Sequence, residues 1–238
     1  KEHLFCATGR TPVYLIWKSL NLFSRKLFVP DFFCKEVVDY WESKGIDIQF
    51  YIDDPRDSTP RFDSITASPG DAILVVDFFG IRNGYCWQQW IKENKDVMII
   101  EDHTHDPISD WAKNSIADYS FSSLRKTLPV PDGAILYSPK KHKLLFDDLR
   151  KDETAANLKL SAMYLKKDFL IDNITSLKDV FRSLQVEGES LLGTSELLDV
   201  SSWTQDQLVN GYPLELRNKR KENIEYFNRL SVDLPVEN

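Results

Sequence analysis

Two segments, "AILVVDFFG" at 72–80 and "DVMIIED" at 96–102, are runs of apolar residues with almost no polar interruption. A strand that faces water on one side alternates polar and apolar side chains, so an unbroken run marks a strand covered on both faces. That is the situation of a parallel sheet between two layers of helices. Between the two runs, "QQWIKENK" reads as the crossover helix that a parallel pair requires. The alternation continues outward. "KLFVP", "IDIQFYI" and "AILYS" read as strands, with "DDPRD" as a turn, and "TPVYLIWKSLNLF" and "FFCKEVVDYWESKG" read as helices. The first helix has Thr11 as N-cap, Pro12 at the first helical position, and Val13, Ile16, Trp17, Leu20 and Phe23 on one face; Gly45 stops the second. The expected fold class is α/β, a mostly parallel sheet with helices on both faces. After about residue 140 the chain turns polar and helical, with a long surface helix over "LRNKRKENIEYFNRLS". This divides it into an α/β domain over 1–150 and a helical continuation over 151–238.

A chain of 238 residues can bury a sizeable core. Its formal net charge of -7 gives no general attraction to nucleic acid or anionic lipid, yet allows a local basic pocket. Cys6, Cys34 and Cys86 are odd in number and lack a Cys-x-x-Cys spacing, so neither a disulfide framework nor a structural zinc site is expected, and a reducing cytoplasm fits. No apolar run approaches the roughly 20 residues of a membrane span, and the opening "KEHLFCATGR" lacks the layout of a signal peptide. Its abrupt entry into a strand-like run is compatible with a fragment of a longer chain.

Ligands of open parallel sheets collect beyond the carboxyl ends of the strands. The residues there are "ATGRT", "PDFFC", "DFFG", "EDHTH" and "SFSSLRK". In "ATGRTP" a helix N-terminus follows Gly9, with Thr8, Thr11 and Arg10 as further donors, which suits an anion, although Thr11 as a plain cap explains part of it. In "EDHTHD", two histidines among three acids invite a metal reading. The ligand spacing is wrong for one, however, and no further Cys or His cluster completes a shell. An acid at a strand end can instead cap, or can hold the proton of a heteroaromatic nitrogen. An Arg-Lys pair such as Arg125-Lys126 is ordinarily a solvated turn. A lysine recessed among other cations, by contrast, has a lowered pKa and can add to an aldehyde to form a Schiff base. An anion cradle, a strand-end acid and a recessed lysine are the contacts that pyridoxal 5'-phosphate requires.

"ATGRTPVYLIWKSL", "VPDFFC", "YIDD", "AILVVDFFG", "IIEDHTH" and "DYSFSSLRKTLPVPDG", in this order, resemble the DegT/DnrJ/StrS-type sugar aminotransferase family of fold type I, which uses pyridoxal phosphate. The resemblance covers roughly residues 5–140 and, more loosely, the helical region beyond. It implies that Gly9, Arg10 and Thr11 hold the cofactor phosphate, that Asp102 pairs with the pyridine nitrogen, and that His105 lies against the ring or its phenolic oxygen. Phe32 or Phe33 flanks the ring, with Cys34 where many members place a stacking aromatic. The resemblance gives the Schiff-base role to Lys126. Members commonly have Ser-Phe-x-x-x-Lys, whereas Ser120-Phe121 stands one residue further from Lys126, so Ser120, Ser122 and Ser123 are all candidates for the phosphate contact. Gly133-Ala134 replaces the usual Gly-Gly, and the chain stops at "SVDLPVEN", where members continue into a smaller C-terminal domain.

The resemblance implies transfer of an amino group from an amino acid, glutamate, to a nucleotide-linked keto-sugar, by a cytoplasmic homodimer with no nucleic-acid or membrane partner. The alternative is a binding or assembly protein, or a truncated chain, that keeps the cofactor fold without the activity. A sugar dehydratase of the same fold is disfavoured, because that variant replaces the lysine with histidine.

Overall fold

The computed structural model describes residues 3–144, 149–194, 197–209 and 214–231. In chain order the elements are β1 (His3–Cys6), α1 (Thr11–Leu20), β2 (Lys26–Pro30), α2 (Lys35–Ser43), β3 (Asp47–Tyr51), β4 (Ala72–Val76), α3 (Tyr85–Glu93), β5 (Met98–Asp102), α4 (Asp110–Lys113), β6 (Tyr119–Ser123), β7 (Ala134–Tyr137), α5 (Thr154–Asp172), α6 (Leu177–Thr194), α7 (Ser202–Val209) and α8 (Leu214–Ser231). The strands form one sheet in the order β1-β7-β6-β5-β4-β2-β3. All neighbouring pairs are parallel except those of β7, which runs antiparallel to both β1 and β6. The fold is thus α/β with a mostly parallel sheet.

Period-two alternation sorts the strand residues into two cores. Leu27, Val29, Leu74, Val76, Ile100 and Phe121 pack with Val13, Ile16 and Trp17 of α1 and with Val38 and Trp41 of α2. Their neighbours Phe28, Ile73, Val75 and Ile99 pack on the opposite face, with Trp87 and Ile91 of α3 and Trp111 of α4. Every residue of β4 is buried, as its uninterrupted apolar run requires.

The start of α1 differs from the sequence expectation. Thr11 is the first helical residue and Arg10 holds the N-cap position, with no side-chain cap. The Thr11 amide donates to Thr8 O (3.2 Å) and the two threonine hydroxyls lie 2.9 Å apart, so Thr11 is spent on the turn before the helix. The helix ends at Asn21, which is left-handed (φ 51°). Phe23 therefore lies beyond the helix instead of extending its apolar face.

Helices α5 and α6 pack on each other, and a small apolar cluster of Ala155, Leu192 and Leu198 forms around Ala7, just after β1. Ala7 N donates to Leu198 O (3.0 Å). Asp132, ahead of β7, accepts from Ser201 N and Oγ and from Thr204 Oγ1. Among the described residues, those up to Thr204 make up one compact unit and those from Gln205 another. In the second unit α8 covers the segment read as a long helix, and its Ile224, Tyr226 and Phe227 are exposed. Most of "SVDLPVEN" lies outside the described residues.

Candidate active site

All five strand-end segments meet at one cavity of about 570 Å3. Its lining includes Gly9 and Arg10 after β1, Phe32, Phe33 and Cys34 after β2, Phe78 after β4, Asp102, Thr104 and His105 after β5, and Phe121, Ser123, Arg125 and Lys126 from β6 and the turn beyond it. The convergence follows from the topology. The parallel strands end on the same side, and β1, although its hydrogen-bonding neighbour is β7, runs in their direction.

At one end Gly9 abuts Ser123 so closely that a Cβ on Gly9 would lie 2.6 Å from Ser123 Cβ and 3.1 Å from its Oγ. The absent side chain lets the backbone at the start of a helix lie directly against a serine hydroxyl, a close approach that suits an anion. Ser123 is held from the other side, its amide donating to Thr104 Oγ1 (2.9 Å). Ser120 does not line the cavity: it is buried on the other face of β6, 3.3 Å from Ser115 Oγ. Ser122 shares its parity, which leaves Ser123 as the serine at the site.

Two arginines are engaged elsewhere. Arg10 lines the cavity, but its guanidinium donates to Leu192 O (2.5 Å) and Gly193 O (2.6 Å) in the last turn of α6 and stacks on Tyr40 at 4.4 Å. It thereby satisfies carbonyls that a helix C-terminus leaves open. Arg125 makes a bidentate pair with Glu189 of α6 (2.9–3.0 Å), and Lys159 of α5 joins the same carboxylate. Burial would raise the Glu189 pKa, but the hydrogen bonds and charges of Arg125 and Lys159 override it and hold it down to about 2.

Asp102, the last residue of β5, is buried, and its Oδ1 accepts from Thr104 N (2.8 Å). Burial raises its pKa, with the Thr104 bonds and the neighbouring His105 and His103 working against the rise. His105 stacks on Phe79 (4.8 Å, 10°), and its Nδ1 accepts the Phe79 amide at 3.1 Å, so a neutral ring carries its proton on Nε2. Phe79 is held in left-handed backbone (φ 58°) to make that bond. Phe33 stacks on Trp41, and Phe32 meets Phe78 edge-on.

The lysine differs from its expectation in one respect. Lys126 lines the cavity but is exposed, not recessed: in the turn Leu124–Lys126, Leu124 is buried, Arg125 is half-buried and Lys126 faces outward. Arg125 and Lys126 both border the cavity; Arg125 is tied to α6.

Glu101 and His103 take no part in the cavity. They lie on the opposite sheet face in a buried network in which His103 Nε2 meets Glu101 Oε2 (2.8 Å), Trp111 Nε1 donates to Glu101 Oε1 (3.1 Å), and Ser109 Oγ donates to Asp77 Oδ2 (3.1 Å). Burial disfavours charge on His103, but Asp77 and Glu101 override it and push its pKa up to about 9. No cluster of His, Cys, Asp and Glu that could hold a metal occurs among the described residues.

Thr104 and Glu189 were not read from the sequence as site residues. Thr104 had a local signal, an Asp-x-Thr turn at a strand end; Glu189, far along the chain, had none.

No family model matches the sequence, and no curated protein matches it. Among solved structures, the chain is similar to Spr1654 from Streptococcus pneumoniae, provisionally named a sugar aminotransferase, in its PLP form (15% identity over 60% of this chain and 42% of that one, TM-score 0.48). It is also similar to a DegT DnrJ EryC1 StrS aminotransferase from Brucella abortus (17%, 59% and 42%, TM-score 0.44). NtdA from Bacillus subtilis with bound cofactor PMP is a third (15%, 70% and 36%, TM-score 0.48). The chain spans about two fifths of their length. At this level of identity and overlap the likeness assigns no chemistry to this chain. No helix among the described residues is long and apolar enough to cross a membrane.

Proposed function

We propose that the chain binds pyridoxal 5'-phosphate in the cavity and uses Lys126 in amino-group transfer. The observation that carries this reading is the meeting of the Gly9–Ser123 cradle, the buried Asp102 carboxyl and Lys126 at one cavity of about 570 Å3, a volume in the range of small-ligand sites. The residues present fit the cofactor. The backbone at Gly9 with the Thr8 and Ser123 hydroxyls would take its phosphate, Asp102 its ring nitrogen, and His105, Phe32 and Phe33 the ring. Arg10 and Thr11 support this end indirectly, through α6 and through Thr8.

Pyridoxal phosphate supplies, when bound, an electron sink for the carbanion left as an amino acid loses its α-proton. The chain supplies the rest. Asp102 sits where burial favours its protonated form, so it can share a proton with a heteroaromatic nitrogen instead of standing as a bare buried charge. Lys126 Nζ offers an amine able to add to an aldehyde and, once released, to carry a proton. The short segment around Phe78 and Phe79 holds His105 in one tautomer.

By the sequence resemblance, the donor is an amino acid, glutamate, and the acceptor a nucleotide-linked keto-sugar, in a cytoplasmic homodimer. The segments "FVPDFFC" and "FFGIRNGYCWQQW" expose Phe32, Phe79, Ile81 and Tyr85, which supports self-association. The test is spectroscopic. Incubation with pyridoxal phosphate should give a visible band, and borohydride followed by peptide mapping should place the pyridoxyl group on Lys126. In Lys126→Ala, band and label should vanish while the circular dichroism is unchanged. A label on another lysine, or none, refutes the reading.

A further inference from the structure

A second cavity of about 400 Å3 lies between residues 125–130, α5 and α6, and shares Arg125, Lys126 and Glu189 with the first. Lys159, Met163 and Lys166 recur at helical spacing along α5 and form one wall; Gln185 and Glu189, one turn apart on α6, form another. Among the described residues lining it, four cations, Arg125, Lys126, Lys159 and Lys166, face one carboxylate, Glu189. For a chain whose net charge is -7 this is a marked local concentration of positive charge.

Two of these cations are largely withdrawn from water, Lys159 with 13% and Arg125 with 20% of the side chain exposed. Both bond to Glu189, and one carboxylate cannot neutralise two cations. Burial, and then the proximity of Arg125, lower the pKa of Lys159, as expected of an ammonium short of counter-charge. Arg125 supplies an independent sign. With its two terminal nitrogens spent on Glu189, its Nε is buried and has no hydrogen-bond acceptor among the described residues. A buried guanidinium N–H without an acceptor is costly, and an oxyanion oxygen would satisfy it.

We propose that this groove is a binding site for a multiply charged oxyanion of the phosphoryl class, separate from the cradle at Gly9. The ligand's oxygens would accept from Arg125 Nε and from the ammonium groups of Lys159 and Lys166, completing the charge balance that Glu189 only begins. The site stands whether or not Lys126 reacts with a cofactor, since none of these three groups belongs to that chemistry.

Pyrophosphate is the probe. Titrated calorimetrically into the purified full chain at fixed ionic strength with chloride as background, it should bind. Lys166→Gln, at an exposed position where folding is not in question, should weaken that binding about fivefold, and Lys159→Gln about tenfold, the loss expected for charge-assisted contacts. Ser123→Ala, in the first cavity, should leave pyrophosphate affinity unchanged. No binding at millimolar pyrophosphate overturns the proposal, as does affinity within twofold of the parent in Lys166→Gln. Binding that is lost in Ser123→Ala but kept in the lysine variants would put the anion in the first cavity and also overturn it. The borohydride label on Lys126 is read separately, so the failure of either idea is distinguishable from the failure of the other.

Discussion

Replacing Gly9 with alanine isolates the closest approach at the site. The new Cβ would sit 2.6 Å from Ser123 Cβ, 3.1 Å from its Oγ and 3.5 Å from its Cα. Carbon atoms rest about 3.5–4.0 Å apart, so the two segments must part by about 1 Å. Neither side yields easily. Ser123 is fixed by Thr104 and by its pairing with Ala134, while the turn carrying Gly9 is fixed by the bond from Trp41 Nε1 to Arg10 O (2.8 Å) and by the Arg10 guanidinium on α6. Overpacking of this kind costs about 1–3 kcal/mol, which urea denaturation of the cofactor-free chain would register as a lowered midpoint at constant slope. Ser123→Gly removes the opposing atoms, so the double variant Gly9→Ala/Ser123→Gly should recover most of that loss, a coupling of about 1 kcal/mol or more in a double-mutant cycle. Cofactor affinity should behave differently. It should fall about tenfold in Gly9→Ala and stay low in the double variant, because the Ser123 hydroxyl is then missing. A stability of Gly9→Ala within about 0.5 kcal/mol of the parent, with no coupling to position 123, would refute the reasoning and show that the turn moves freely away from β6.

Two further outcomes concern buried titratable groups. The folded pKa of His103 is about 9, raised from 6.5, so the stability it contributes is complete below 6.5 and is lost as pH rises through 9; in His103→Gln the unfolding midpoint should be flatter across that window than in the parent. Asp102 also has a raised folded pKa, so as a carboxyl it costs stability once pH rises above the ordinary carboxylate range. Asp102→Asn keeps the acceptor for Thr104 N, and should stabilise the cofactor-free chain by about 0.5–2 kcal/mol near neutral pH in urea titrations while weakening cofactor binding.

The placement of the site was legible because strand ends are marked in the sequence by where apolar runs stop. If "AILVVDFFG" and "DVMIIED" are parallel strands, the residues after them must share one edge of the sheet, and Gly9, Asp102, His105 and Lys126 do share a cavity. The choice among the serines was not legible. A strand buried on both faces carries no polar stripe to tell one face from the other, and "YSFSS" is buried throughout, so only the packing of Phe121 with the α1 and α2 core shows that Ser123 faces the site and Ser120 does not. The same parity separates Asp102 from its neighbours Glu101 and His103, which a reader of "EDHTHD" meets as one cluster and the sheet sends to opposite faces.

The sequence by itself determined the layers, the expected strands and helices and the composition of the strand-end loops, since periodicity, caps and turns are local properties of a few neighbouring residues. Tertiary structure alone decided what the cations do. Arg10 reaches carbonyls 182 and 183 residues away, and Arg125 a carboxylate 64 residues away. No local pattern encodes such pairings, because they are set by where α6 lands once the apolar cluster around Ala7 has drawn it against the end of β1.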